Sequence, residues 1–380
     1  FSGEARTGLE ESMSDSVLVA EYPAGDRVIG RLTLNAEKTL NALTREMVDV
    51  ITDRLEAWAN EDRVVAVVID GAGDKAFCAG GDVQALRNSS VETPGGPCDY
   101  AEHFFAREYR MNYLLHTYAK PLICWGHGVV MGGGLGILAG CRHRVVSERT
   151  RIGMPEITIA LFPDVGGSWF LNRMPGQIGR FLALTSSHIN ATDALYCGLG
   201  THFFAHEQKQ SVLEALAGLA WESNVEADTV KVDALLKGIT ADVDLPEAQL
   251  APHIDVINEW MAGSNLLAIF DRVMAWQGED TWLQKARDGL AHGSPLAATW
   301  IFRQLNQTRD ATLRAVFESE LILGCNIMRH PEFAEGVRAL LVDKDRSPSW
   351  AYADLVSVPA EVVDSFFSAP DAMPTLGLPE

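Results

Sequence analysis

The chain has 380 residues, 47% of them hydrophobic, so it is long enough to bury the core of two domains or of one large domain with an appendage. It carries 31 Lys and Arg against 51 Asp and Glu, a formal net charge of −20, which makes nucleic acid and anionic membrane surfaces poor partners. The sequence also lacks a run of about eighteen apolar residues, so we expect no membrane span.

Six cysteines are scattered along the chain without a C-x-x-C pair. They are Cys78, Cys98, Cys124, Cys141, Cys197 and Cys325. Four of them lie in apolar or glycine-rich surroundings, which is typical of buried, reduced thiols. The sequence therefore predicts a cytoplasmic protein without a zinc or other metal site.

Strand and helix patterns alternate in the first half of the chain. Residues 17–35 hold two β-branched runs around the turn composition PAGD and predict a hairpin. Thr44 is a suitable N-cap for an amphipathic helix that reaches Trp58, and the apolar run VVAVVID (64–70) predicts a buried strand. KPLICWGHGVVMGGGLGILAGC then predicts a strand, a glycine cluster and a helix, and HRVVSERTRIG predicts two short strands. This alternation indicates an α/β arrangement.

After Ala205 the patterns are almost entirely helical. Ser294 and Pro295 form a good helix start, with a capping side chain and a proline in the first turn. The sequence after Ala369 is rich in proline and is predicted to be loose. The predicted division is a disordered lead or cloning remnant, an α/β core, a helical region and a loose tail (1–12, 13–205, 206–368 and 369–380).

Two carboxylates stand eight residues apart in MPEITIALFPD. Glu156 and Asp164 each follow a proline, which favours turn or extended backbone at that point. Their neighbours are apolar, so we expect poor solvation and a raised pKa for at least one acid. One acid would then be protonated while the other is charged, as general acid and base chemistry requires. An ordinary loop with a capping acid and a helix-start aspartate explains the pattern equally well.

Two glycine-rich turns form a second feature. AFCAGGDV (76–83) and GHGVVMGGGLG (126–136) place glycines where a strand ends. Glycine lets a ligand atom approach the bare backbone, so one N–H from each turn could bind the same oxygen, as in an oxyanion hole. Tight packing of a helix on a sheet is the alternative.

A phosphate-binding motif is an alternative interpretation of these glycines. Neither turn ends in Gly-Lys-Ser/Thr, so neither is a P-loop. Gly134 to Ala139 does match G-x-G-x-x-A, with an acid, Glu156, about twenty residues later. A nicotinamide or flavin enzyme therefore stays open as a minor alternative.

Four ordered segments resemble one known family. AFCAGGDV, GHGVVMGGGLG, MPEITIALFPDVGGSWFL and HPEFAEGVRALLVDKDRSPSW resemble the crotonase superfamily, and within it the 3-hydroxyisobutyryl-CoA hydrolase branch. The resemblance implies a crotonase-like spiral of ββα units with a helical C-terminal region. It also implies an acyl-CoA thioester as substrate, in valine catabolism, with no cofactor besides the CoA of the substrate. A homo-oligomer is left open.

The resemblance also implies roles for particular residues. The two oxyanion donors fall on the backbone N–H groups of Gly81 and Gly133, and the two acids on Glu156 and Asp164. In the hydratase branch a further glutamate stands three residues after the second donor, where this chain has Gly136. That branch also usually has glycine at the Asp164 position. The acids of a hydrolase are thus present, and those of a hydratase are absent.

Further substrate contacts are implied beside the donors and near the CoA channel. They fall on Lys38, Ala79, Gly80, Asp82 and Gly132. Glu156 would attack the thioester carbonyl or act as general base on water, and Asp164 would hold the substrate hydroxyl or the water. An enoyl-CoA hydratase or isomerase is the alternative enzyme, and a non-catalytic acyl-CoA-binding module is the alternative from another class.

Overall fold

The computed structural model describes residues 15–379, so the prediction about residues 1–12 lies outside the described part of the chain. The chain forms two compact units from interleaved segments. Unit 1 takes in residues 15–81, Leu114–Ile152 and Asn190–Ala248. Unit 2 takes in Asp82–Tyr113, Gly153–Ile189 and residues 249–379. The division predicted from the sequence runs through consecutive segments (1–12, 13–205, 206–368 and 369–380), and its boundaries stay predictions.

Nine strands lie within residues 15–379. They are β1 (Val17–Ala24), β2 (Arg27–Leu34), β3 (Val64–Gly71), β4 (Ala76–Cys78), β5 (Leu122–Gly126), β6 (Val129–Met131), β7 (His143–Val146), β8 (Arg151–Gly153) and β9 (His202–Phe203). One sheet has the order β1-β2-β3-β5-β7-β9 and the other the order β4-β6-β8. Only β1 and β2 are antiparallel within the first sheet; its other neighbours are parallel. The predicted hairpin, the buried strand β3 and the pair β7 and β8 are confirmed.

The hairpin turn is shorter than the PAGD composition suggests. Pro23 and Ala24 belong to β1, and only Gly25 and Asp26 join the strands. Proline has no N–H to donate, and β1 can hold it because β1 is an edge strand. Gly25 supplies the left-handed backbone of the turn, with φ of 67°.

Sixteen helices lie within the same described residues. They are α1 (Arg45–Ala59), α2 (Val83–Glu92), α3 (Asp99–His116), α4 (Gly133–Gly140), α5 (Gly167–Leu171), α6 (Ile178–Thr185), α7 (Ala191–Cys197), α8 (Lys209–Ala217), α9 (Val225–Gly238), α10 (Ile254–Trp260), α11 (Leu266–Met274), α12 (Thr281–His292), α13 (Pro295–Gln307), α14 (Leu313–Met328), α15 (Pro331–Val337) and α16 (Ala360–Ser365). The predicted helical character after Ala205 is confirmed. After Ala369 no helix or strand occurs through residue 379, although Arg329 Nη1 donates to the Asp371 carbonyl at 2.9 Å.

The helix caps read from the sequence are present. Thr44 Oγ1 accepts from the Met47 N–H at 3.2 Å, and Ser294 Oγ accepts from the Ala297 N–H at 3.0 Å, so each satisfies an N–H that the helix itself cannot. Helix α1 then buries one apolar face: Met47, Val48, Ile51, Leu55 and Trp58.

Each unit has its own apolar core. In unit 1, Trp125 of the first sheet stacks on Phe204 at 6.1 Å and packs with apolar residues of α8 and α9. In unit 2, the Tyr109 ring lies 5.6 Å from Phe105 and 6.2 Å from Phe317, which joins α3 to α14.

All six cysteines are buried and none forms a disulfide, whereas the sequence predicted buried, reduced thiols for four of them. Among residues 15–379, no helix combines the length and the apolarity needed to cross a membrane.

Candidate active site

The two glycine turns follow neighbouring strands. β4 ends at Cys78 and leads to Gly81, whereas β6 ends at Met131 and leads to Gly133, and the two strands are parallel and paired. A Cβ on Gly134 would lie 2.2 Å from the Cys78 carbonyl oxygen, closer than any side chain allows. The turns therefore sit side by side, and tight packing does explain one glycine of the cluster.

The backbone conformation of the second turn places Gly133 at the start of α4. Gly132 has φ of 48° and ψ of −122° as N-cap of α4, and Gly133 is the first helical residue. The N–H of a first helical residue has no acceptor within its own helix, and the helix dipole favours negative charge there. Gly133 therefore has the properties of an oxyanion donor, and its role stays a prediction.

The dinucleotide-binding alternative does not fit this geometry. Gly134 and Gly136 both lie inside α4. In dinucleotide folds the glycines form the turn that precedes the helix, where the backbone meets the pyrophosphate.

The segment around Lys38 is bound to the first turn. The Ala79 N–H donates to the Leu40 carbonyl at 3.0 Å, and the Leu43 N–H donates to the Gly80 carbonyl at 2.7 Å. Lys38 itself is exposed on a short 3-10 turn. It is thus an exposed cation two residues before Leu40, which is bonded to that turn, and its contact with CoA stays a prediction.

Asp82 has a visible structural role. Its Oδ1 accepts from the Ala85 N–H at 3.2 Å and caps α2. This cap by itself explains why an aspartate stands at that position. A substrate contact of Asp82 stays a prediction, as do those of Ala79, Gly80 and Gly132.

Both acids lie on tight, well-anchored backbone. Glu156 begins a 3-10 turn directly after Pro155, and the Leu161 N–H donates to the Glu156 carbonyl at 2.9 Å. Asp164 is followed by Val165 with φ of 55°, in the left-handed region that β-branched residues rarely adopt. The predicted turn backbone is present at both positions.

Burial perturbs both carboxyl groups. Glu156 is 4% exposed and Asp164 5% exposed. Burial and, to a smaller extent, the charge of Asp164 raise the pKa of Glu156 well above its usual range. Glu156 Oε2 has no hydrogen-bond partner among the described residues. Burial also raises the pKa of Asp164, but only to about 6, because Tyr109 donates to it. The directions agree with the sequence-based expectation.

Two neighbouring residues of α3 complete the environment of Asp164. The Tyr109 hydroxyl donates to Asp164 Oδ2 at 2.6 Å. Glu108 is 3% exposed, and burial together with the charges of Asp164 and Glu320 raises its pKa well above the usual range. Its Oε1 has no partner among the described residues. Sequence analysis missed both residues, although a glutamate amid the buried pattern FFAREYRM was a signal for Glu108.

A fourth acid comes from α14. Glu320 is fully buried, and its carboxylate accepts from the Gly166 N–H at 2.8 Å and from the Ser168 N–H at 3.0 Å. Burial raises its pKa to about 8 against the effect of these two donors. We call Glu108, Glu156, Asp164 and Glu320 the acid cluster. All four belong to unit 2.

One buried amide also lacks partners. Asn112 is 0% exposed, and neither its Oδ1 nor its Nδ2 has a partner within residues 15–379. At about 100° per helical residue, Asn112 lies between Glu108 and Tyr109 around the axis of α3, one turn further along. A buried polar group without a partner is costly, so this one calls for a functional or solvent explanation.

Comparison with known proteins decides the family. A family model described as enoyl-CoA hydratase/isomerase matches residues 29–367. The chain belongs to the enoyl-CoA hydratase/isomerase family.

Curated relatives within this family carry the name that the motifs suggested. The 3-hydroxyisobutyryl-CoA hydrolase, mitochondrial, of Xenopus tropicalis is 36% identical over 340 residues, which cover 90% of this chain and 86% of the relative. 3-Hydroxyisobutyryl-CoA hydrolase 1 of Arabidopsis thaliana is 31% identical over 374 residues, 97% of this chain and 96% of the relative.

Solved structures of the family confirm the crotonase fold. A structure described as an enoyl-CoA hydratase from Rhodobacter sphaeroides 2.4.1 has a TM-score of 0.80 at 33% identity and covers 93% of this chain and 97% of its own. A structure described as a carnitinyl-CoA dehydratase from Mycobacterium thermoresistibile has a TM-score of 0.83 at 32% identity, covering 96% and 99%. The predicted superfamily and fold class are confirmed.

Proposed function

We propose that this protein hydrolyses an acyl-CoA thioester, with 3-hydroxyisobutyryl-CoA or a similar short branched 3-hydroxyacyl-CoA as substrate. The observation that carries the proposal is the pair of buried carboxyl groups on one short segment, Glu156 and Asp164, with Tyr109 donating to Asp164. The names of the curated relatives support the substrate class.

The thioester oxygen would be bound by backbone donors. We assign the N–H groups of Gly81 and Gly133 to this oxygen, which gains negative charge when the carbonyl carbon is attacked. Their placement after two paired parallel strands supports the assignment. Side chains take no part in this binding.

The acid pair matches the proton demand of hydrolysis. Burial raises the pKa of Asp164 to about 6 and favours the protonated form of Glu156, so we assign one proton to the pair near neutral pH. Hydrolysis forms a carbon–oxygen bond, breaks the carbon–sulfur bond, removes a proton from water and delivers one to the departing sulfur. A pair with one proton can do both in turn.

Two routes are compatible with this arrangement. Glu156 attacks the carbonyl carbon and water opens the resulting anhydride, or Glu156 removes a proton from the attacking water. In both routes Asp164 binds the substrate hydroxyl or the water and returns a proton to sulfur.

Hydration of an enoyl-CoA is the second candidate, because the solved structures of this family are described as a hydratase and a dehydratase. The resemblance implies that a hydratase needs a glutamate at position 136. Here Gly136 lies buried inside α4 and offers no carboxylate. A binding module without catalysis would not need the acid cluster.

One paired assay tests the proposal. Free CoA thiol is measured while the enoyl thioester absorbance is followed, with 3-hydroxyisobutyryl-CoA and crotonyl-CoA as alternative substrates. We expect stoichiometric thiol release from the hydroxyacyl substrate and slow or no loss of enoyl absorbance from crotonyl-CoA. Rapid loss of absorbance without thiol would favour the hydratase, and tight CoA binding without either signal would favour the binding module.

Location, assembly and cofactor use are part of the same proposal. We expect a cytoplasmic enzyme that acts without metal or cofactor, either alone or as a homo-oligomer. The mitochondrial names belong to the animal relatives.

A further inference from the structure

The turn that carries Asp164 is conformationally strained. Val165, directly after Asp164, has φ of 55°, and Gly166 has φ of 86°. The left-handed region is unfavourable for a residue with a Cβ, and β-branched residues adopt it least readily. Such a conformation persists only where surrounding contacts enforce it.

Glu320 supplies those contacts. From α14, its two oxygens accept the N–H groups of Gly166 and Ser168 at 2.8 and 3.0 Å. The Gly166 cap position of α5 has no side-chain hydrogen bond of its own, so Glu320 takes the place of an N-cap from a distant part of the chain. The Gly167 N–H closes the turn onto the Asp164 carbonyl at 2.8 Å.

The same turn is held from its other side by Tyr109. The Tyr109 hydroxyl binds Asp164 Oδ2 at 2.6 Å, and its ring packs on Phe317, which lies one helical turn before Glu320 on α14. The Asp164 carboxylate is therefore fixed between a donor on α3 and a backbone clamp on α14. The clamp is strongest when Glu320 is ionised, because both oxygens of a carboxylate accept hydrogen bonds.

We propose that Glu320 is a positioning residue, which keeps the Asp164 carboxylate aligned with the Tyr109 hydroxyl and with the reacting thioester. The proposal rests on the thioester hydrolase function stated above. It gives a task to a buried acid that has no place in the proton transfers themselves.

Glu320→Gln is the direct test. Glutamine keeps the size and one acceptor oxygen, but its NH2 group meets a backbone N–H as a second donor, so one of the two bonds is lost. We expect kcat for thiol release to fall about ten- to hundredfold, the scale of a displaced reacting group, with KM changed less than about threefold. The acid limb of the pH profile should move to higher pH, because Asp164 loses its alignment with Tyr109.

A double variant separates positioning from general destabilisation. If Glu320 acts through the bond between Tyr109 and Asp164, the double variant Glu320→Gln with Tyr109→Phe should shift the acid limb no further than Tyr109→Phe does alone. Shifts that add would overturn the proposal. So would a folded Glu320→Gln protein with unchanged kcat, or one whose activity falls only in proportion to its folded fraction.

Asp228→Asn is the matched control. Asp228 is also buried and accepts a backbone N–H, that of Glu222, at 2.9 Å, but it lies on α9 in unit 1. It should lose thermal stability without a shift of the pH profile. If Glu320→Gln does not fold, Glu320→Asp withdraws the same carboxylate by one methylene and is judged by the same readouts. The wild-type assay decides the proposed function, and only the ratio of variant to wild type decides the role of Glu320.

Discussion

Replacing Tyr109 with phenylalanine removes the hydroxyl that donates to Asp164 and leaves the packing of the ring intact. The ring stays between Phe105 and Phe317, at 5.6 and 6.2 Å from them. What is lost is the 2.6 Å hydrogen bond to Asp164 Oδ2, the contact that opposes the effect of burial on the Asp164 pKa. The change is therefore electrostatic and local.

The size of the effect follows from that bond. A buried hydrogen bond to a charged group is worth about 1.5–3 kcal/mol, and one pKa unit corresponds to about 1.4 kcal/mol. The pKa of Asp164 should rise from about 6 by one to two units. At pH 7 the ionised fraction of Asp164 would fall from about 90% to about 10–50%.

The assay is the pH dependence of thiol release. Because the proposed mechanism needs the acid pair with one proton removed, the acid limb of kcat/KM should move up by one to two units in Tyr109→Phe, with nearly full activity recovered at about pH 9. Tyr113→Phe is the control, since this ring also lies on α3 and packs against Phe317, at 6.3 Å. An acid limb at the same pH in Tyr109→Phe and wild type would refute the assignment of that limb to Asp164.

Further predictions concern the reacting acid, the packing of the glycines and the cost of buried polar groups. Glu156→Gln should lower kcat by about a hundredfold or more with CoA affinity retained, measured against the exposed control Glu214→Gln. Gly134→Ala should lower the melting temperature sharply, because its Cβ would meet the Cys78 carbonyl oxygen at 2.2 Å. Asn112→Leu should raise the melting temperature, because two buried polar atoms without partners among the described residues cost about 1–3 kcal/mol each. A melting temperature below that of the wild type would indicate that Asn112 has partners such as bound water. Finally, carboxyls with raised pKa values bind protons more tightly when folded, so calorimetric stability should fall as pH rises from about 4.5 through the raised values.

The features that sequence predicted correctly are those set by local chemistry. The cap at Thr44, the proline helix start at Ser294 and the buried strand β3 each depend on a few adjacent residues. The same holds for the turn backbone at Glu156 and Asp164, which their prolines favour.

The partners of the acids could not be predicted because they come from distant parts of the chain. Tyr109 precedes Asp164 by 55 residues, and Glu320 follows Gly166 by 154. Glu320 belongs to the segment ESELILGC, and a glutamate within an amphipathic helix is normally predicted to be a surface residue. Only the packing of α14 in unit 2 places it inside. The resemblance to the hydrolase branch implied a reacting role for Glu156 and Asp164, which stays a prediction, but it did not point to Tyr109 or Glu320.

Burial, hydrogen bonding and the charge of Asp164 together set the proton affinities of the four buried acids. Burial raises the pKa of all four, but the donors are distributed unevenly. Asp164 has the Tyr109 hydroxyl and a pKa of about 6, whereas Glu320 has two backbone N–H groups and a pKa of about 8. Within residues 15–379, Glu156 and Glu108 each have one oxygen without a partner, and burial favours the protonated form of both acids. A substrate that brings a donor to Glu156 Oε2 would lower its pKa and release that proton, so substrate binding itself would convert Glu156 into the base or nucleophile that hydrolysis requires.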